Sequence, residues 1–175
     1  MQISLRTFLA LLCFSGFGLA SLSAFQKAPK TFTIRGRTMA VSPHCGGDEL
    51  SPEEMAKSNT PHPVGNMTIC IKRGQANSSK SPVYKKVTSD AKGFFEVQLP
   101  EGTYCLVRES KTQKLLVPGK DWDAECLREE YKKCDLTLTV KDARRDTIAF
   151  VQQNYCPWNT PCLTFKGDPP PSDEK

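Results

Sequence analysis

Residues 88–107 read TSDAKGFFEVQLPEGTYCLV, and no other stretch restricts the fold of this chain as strongly. Phe95, Val97 and Leu99 alternate with polar residues, the period of two expected of a strand with one buried face. Tyr104 and Leu106 alternate in the same way. Pro100-Glu101-Gly102 between the two runs is turn chemistry, because proline fixes φ and glycine permits φ > 0. Asp90-Ala91-Lys92-Gly93 is a second turn, entered from a strand over residues 83–88. Three consecutive strands joined by two short turns predict an antiparallel meander. The stretch holds no nucleophile, acid–base pair or phosphate cradle.

The same period recurs on both sides. Residues 31–39 (TFTIRGRTM) set Phe32 and Ile34 on one face, and Gly36 marks a bulge or a close backbone approach. Residues 65–73 place Met67, Ile69 and Ile71 inward and Cys70 outward, and Cys105 is likewise outward on its strand. Residues 134–140 carry Leu136, Leu138 and Val140 on one face. A last strand covers 147–151, with residues 142–146 as the turn before it. Between the first two strands, residues 41–63 form an insertion. In it Ser51-Pro52-Glu53-Glu54 starts a short helix, with serine at the N-cap and glutamate three residues later. Residues 121–133 form a second helix, with Trp122, Cys126, Leu127 and Tyr131 on one stripe. The expectation is an all-β, antiparallel seven-stranded sandwich with two short helical insertions and an irregular tail. Its core is Phe32, Ile34, Met67, Ile69, Ile71, Val87, Phe95, Val97, Leu99, Tyr104, Leu106, Leu136, Leu138, Ile148 and Phe150.

The first residues read as an export leader: Arg6 is followed by an apolar run over 7–19 and then by small residues. Cleavage after Ala20 or Ala24 fits, so residues 1–24 are taken as a signal peptide. The domain then covers 25–151, and a proline-rich tail covers 152–175. The apolar run is too short to span a membrane, and no such segment follows it. Export implies an oxidising compartment, periplasmic, secreted or at the cell surface, where cysteines cross-link.

Cys13 leaves with the leader, so seven of the eight cysteines remain, and at least one has no partner within the chain. Cys156 and Cys162 flank Pro157 and Pro161, and a small disulfide loop between them is the simplest reading. Cys126 and Cys134 are eight residues apart. An unbroken helix would separate them by about 12 Å, past the roughly 7 Å Cα limit. Their pairing therefore requires the helix to end near Glu130. Cys70 and Cys105 meet if their strands are neighbours, which leaves Cys45 as the odd thiol. Cys45–Cys70 and Cys45–Cys105 stand open as alternatives.

Few groups suit chemistry. The two histidines, His44 and His62, sit in one insertion with Cys45, and that trio is the candidate metal or small-ligand set. Asp121-x-Asp123-x-Glu125 begins like a calcium loop, but Cys126 stands where glycine is needed and Lys132 where a bidentate glutamate is needed. The net charge of +5 is mild, and the lysines of residues 72–92 lack the aromatic interleaving of a nucleic-acid face. No catalytic set and no cofactor site is expected. Asn66 and Asn77 open formal glycosylation sequons. Trp122 and Trp158 are the natural contact aromatics.

Four pieces together resemble the carboxypeptidase regulatory-like, or transthyretin-like, domains. They are Ile34-Arg35-Gly36-Arg37, residues 63–69 (PVGNMTI), residues 88–95 (TSDAKGFF) and residues 99–104 (LPEGTY). Residues 45–55, with Cys-Gly-Gly and then Pro-Glu-Glu-Met, and residues 156–162 are similar to segments of small exported proteins of Bacteroidetes-type bacteria. The resemblance implies a transthyretin-like sandwich and a non-catalytic module with a protein or envelope-glycan partner.

Overall fold

A computed structural model describes residues 29–47, 49–115, 117, 119–141 and 147–164. The predicted leader (1–24) and the predicted turn over 142–146 lie outside the described residues, as does the tail after residue 164. The longest strand, β1 (Thr31–Val41), organises one sheet. After it come α1 (Pro52–Ser58), β2 (His62–Pro63), β3 (Thr68–Arg73), β4 (Lys85–Thr88) and β5 (Phe94–Pro100). Then follow β6 (Gly102–Arg108), α2 (Ala124–Lys132), β7 (Leu136–Val140) and β8 (Ile148–Gln153). The described chain is mostly β, in two four-stranded sheets. It has eight strands where seven were expected; the addition is the two-residue β2 inside the insertion.

In the first sheet β1 pairs antiparallel with β5 over Thr31–Arg37, and with β2 at Met39 and Ala40. Its other edge pairs with β8, and that pairing is parallel, from Gly36↔Ile148 to Val41↔Gln153. The wholly antiparallel expectation is corrected there. The second sheet has the order β4-β3-β6-β7, antiparallel throughout.

The predicted meander is not formed. β4 and β6 both pair with β3, while β5 pairs with β1 in the other sheet. Glu101 alone separates β5 from β6, which is too short for a two-residue hairpin loop. The chain instead turns a corner and crosses between sheets at Gly102, whose φ is +151°. The Tyr104 hydroxyl donates to the Pro100 carbonyl across this corner at 2.9 Å, so a phenol that is otherwise 1% exposed has its partner. Alternation was read correctly, but it reports which face is buried and not which strand lies alongside. Phe95, Val97 and Leu99 approach the core from one sheet, and Tyr104 and Leu106 from the other.

Those five join Phe32, Ile34, Ile69, Ile71, Leu138, Val140 and Phe150 in one core, with Met67, Val87, Leu136 and Ile148 half-buried against it. Gly36 is indeed a point of close approach: a Cβ there would stand 2.2 Å from the Phe95 ring. Buried Thr38 and Ser89 tie β1 to the turn before β5. The Thr38 hydroxyl lies 3.0 Å from Ser89 Oγ and 3.1 Å from the Gly93 carbonyl, and the Met67 amide donates to Ser89 Oγ. In that turn Asp90 Oδ1 accepts from the amides of Lys92 and Phe94. α1 carries the predicted capping box, with Ser51 and Glu54 exchanging side-chain and backbone bonds.

Candidate functional site

The second helix and the segment after β8 form the outer layer at one end of the sandwich. Asp123 caps α2, accepting from the amides of Glu125 and Cys126, so these acids serve the helix start where negative charge is favoured. The segment after β8 lies against the same helix end. The Asp123 amide donates to the Cys162 carbonyl, the Thr164 amide donates to Asp121, and Trp122 bridges Leu163. The Cys126–Cys162 disulfide closes this junction. At the other end of α2, Asn77 Nδ2 donates to the carbonyls of Tyr131 and Lys111, and its amide donates to Lys132. Carbonyls of the last turn, orphaned by geometry, are satisfied in this way.

All three predicted cysteine pairings are corrected. α2 runs to Lys132, so Cys126 and Cys134 stay too far apart, as the helical rise requires. Cys134 bonds Cys105 instead. β3 and β6 are neighbours, but Cys70 stands opposite Val107 and Cys105 opposite Lys72, so the two cysteines are diagonal, at a spacing of about 7–8 Å. Among the described residues Cys70 is the free thiol, fully buried with Cys105 and Val107, and burial pushes it above the usual thiol range. Cys45 is not the odd thiol. It bonds Cys156, because β1 and β8 leave the sheet side by side and in the same direction. Cys162, with φ +69°, is drawn off to α2.

That bridge also bears on the metal trio. In a disulfide Cys45 has no thiolate to offer a metal, His62 sits in β2 against Ala40, and His44 lies in the exposed loop beyond β1. Among the described residues no group of three or more histidine, cysteine or acidic side chains is arranged to hold a metal.

Between α2, β8 and the chain after it lies a cleft of about 480 Å³. Trp122, Leu127, Tyr131, Val151 and Tyr155 supply its apolar surface. Tyr155 and Val151 are 47% and 36% exposed, whereas Trp122 is half-buried. The carboxylates of the rim are already paired, although Arg108 Nε is buried without a hydrogen-bond partner among the described residues. Asp135 accepts from Lys111 Nζ at 2.7 Å and from the Arg108 amide at 2.8 Å, and lies 3.5 Å from Arg108 Nε. Glu130 pairs with Lys133. Trp158 belongs to a short turn over Pro157–Asn159; its side chain lies outside the described residues. Sequence reasoning named Trp122 but missed Val151 and Tyr155, because which side of β8 and of the chain after it meets α2 is set by the assembled fold and leaves no local signal.

The class defined by this architecture is a two-sheet, mostly β protein braced, among the described residues, by three disulfides, a chemistry that oxidising compartments favour. No helix among the described residues is long and apolar enough to cross a membrane. No protein-family model matches the chain, and a search of the curated proteins found no match.

Proposed function

We propose that this protein is an exported, non-catalytic binding module of the carboxypeptidase regulatory-like, transthyretin-like kind, working in the periplasm or cell envelope. Its partner is a protein or an envelope glycan, and the contact surface is the cleft between α2 and β8. The supporting observation is the arrangement of the cleft: aromatic and aliphatic side chains on a surface fixed by the Cys126–Cys162 and Cys105–Cys134 bridges, with its carboxylates already paired. Rigid aromatics lose little entropy on binding and dominate contact energies. Loops and short helices on a rigid sandwich are where binding usually resides.

The test is co-sedimentation of the purified protein with isolated cell-wall glycan, and pull-down from solubilised envelope proteins, comparing the native chain with Trp122→Ala, Tyr155→Ala and Trp158→Ala. Loss of one central aromatic anchor should weaken retention by about tenfold or more. Retention that survives both Trp122→Ala and Tyr155→Ala would remove the cleft as the contact surface. Amino-terminal sequencing of the exported protein should find a start at Ser21 or Phe25.

A further inference from the structure

One margin of the first sheet is left open. β1 lies along one side of β8, and among the described residues no strand pairs with the other side. The Asn154 amide donates to the Val41 carbonyl at 3.0 Å, which fixes the phase of the parallel ladder. A strand residue aims its N–H and C=O to one side, and the next residue aims both to the other. Phe150 and Gln152 therefore bond β1, while Ala149, Val151 and Gln153 turn their backbone groups away from it. All three are exposed, and among the described residues those groups meet no donor or acceptor.

The opposite margin of the same sheet is guarded. On β5 the Phe94 amide donates to Asp90 Oδ1 and the Phe94 carbonyl accepts from the Asp90 amide. The Gln98 carbonyl accepts from Lys85 Nζ, and the Pro100 carbonyl accepts from the Tyr104 hydroxyl. Proline itself has no N–H to offer. Native proteins blunt free edges with lysine and proline in this manner, and β8 carries neither residue.

The residues of the open margin also belong to the cleft. Val151 and Gln153 line it together with Trp122, Leu127, Tyr131 and Tyr155. Its charged lining is Arg108, Lys111 and Lys133 against Glu130 and Asp135, which leaves one positive charge in excess. The Arg108 side chain is 31% exposed.

We infer that β8 receives an added strand: an extended segment of a partner protein lies along residues 149–153 and bonds the backbone of Ala149, Val151 and Gln153. Apolar side chains at alternate positions of that segment enter the cleft, and an acidic group on it meets the cationic excess. In this mode of recognition main-chain bonds supply affinity and alternate side chains supply specificity. The inference rests on the cleft being the contact surface, and within that reading it selects a protein over a glycan. A polypeptide repeats N–H and C=O at the spacing of a strand edge, and a glycan does not.

The experiment pans a phage-displayed library of linear ten-residue peptides on the full chain, then measures the selected peptide, made synthetically with a fluorescein label, by anisotropy. The selected sequences should alternate apolar residues and carry aspartate or glutamate. N-methylation of one alternate set of peptide amides should weaken binding by about tenfold per amide, the worth of one hydrogen bond, and methylation of the other set should leave it nearly unchanged. Val151→Pro removes an N–H that β1 does not use, so the internal ladder survives and the margin is blocked; peptide binding should fall by about tenfold or more. Ala149→Pro blocks the same margin should Val151→Pro lower the thermal midpoint. Hydrogen exchange at the amides of Ala149, Val151 and Gln153 should slow when the peptide binds. Binding that tolerates both methylated sets and both proline variants, yet falls with Trp122→Ala, would overturn the added strand and leave the cleft as the contact surface. Binding lost with Val151→Pro but indifferent to Trp122→Ala and Tyr155→Ala would remove the cleft and keep the strand. Failure to select any peptide, or a dimer of the chain alone that Val151→Pro abolishes, would overturn the inference, the latter by giving the margin to a second copy.

Discussion

Replacing both Cys45 and Cys156 by alanine tests how the two ends of the chain are joined. The bridge spans a sequence separation of 111 residues, and loop closure of that length is worth about 5 kcal/mol in the chain-entropy account. The other two bridges already shorten the unfolded path between these residues. The dependence on length is logarithmic, so this trims the figure by only a few tenths of a kcal/mol. The same account gives about 3.6 kcal/mol for the 29-residue separation of Cys105–Cys134 and about 3.8 kcal/mol for the 36-residue separation of Cys126–Cys162. The expected loss for the double variant is therefore about 4–5 kcal/mol. The assay is urea unfolding at 25 °C without reductant, followed by tryptophan fluorescence, with the slope checked against the native protein. A loss below about 2 kcal/mol, under the usual range for a native bridge, or a non-reducing peptide map that returns Cys45 as a free thiol, would refute the reasoning.

Three further outcomes follow from the core. Gly36→Ala drives a methyl into the Phe95 ring at 2.2 Å and toward Ile148 at 2.9 Å. It should cost about 1–3 kcal/mol, part of it recovered in the Gly36→Ala/Phe95→Leu double variant; strict additivity in a double-mutant cycle would contradict the contact. Tyr104→Phe leaves the Pro100 carbonyl of the inter-sheet corner without its donor and should lower stability by about 1–3 kcal/mol in the same urea assay; a neutral change would show that the corner does not need the phenol. Cys70 is held above its ordinary value of 9.0 by burial, so the folded state keeps a proton that the unfolded state gives up. Its contribution to stability is complete below that value and is lost as pH rises above it. Cys70→Val should therefore flatten the alkaline fall in stability relative to the native chain; identical slopes above pH 9 would reject the assignment.

Much of the fold was legible because alternation, turn residues and caps act locally. Phe32, Ile34, Ile69, Ile71, Phe95, Val97 and Leu99 reached the core as their period required, and the box of Ser51 and Glu54 formed as written. Strand neighbours were not legible, because a corner such as Pro100-Glu101-Gly102 looks like a hairpin until the sheets are assembled. The parallel approach of β8 to β1 leaves no local mark either, and the cysteine partners depend on it. The cleft followed the same rule. Trp122 could be named from the predicted helical stripe, although the helix starts only at Ala124 and Trp122 bridges Leu163 before it, while Tyr155 joins the cleft only because β8 and the segment after it are brought across the chain. The burial of Lys72 could not be read at all, since a lysine on a strand is normally solvated.

The partnership of β1 with β8 sets an order on assembly. A polypeptide delivered amino end first presents an opening strand whose second margin stays bare until nearly everything else has emerged. Bare margins invite other chains, so slow delivery lengthens the interval in which this molecule can stick to its neighbours, and a prematurely truncated copy keeps that margin open for good.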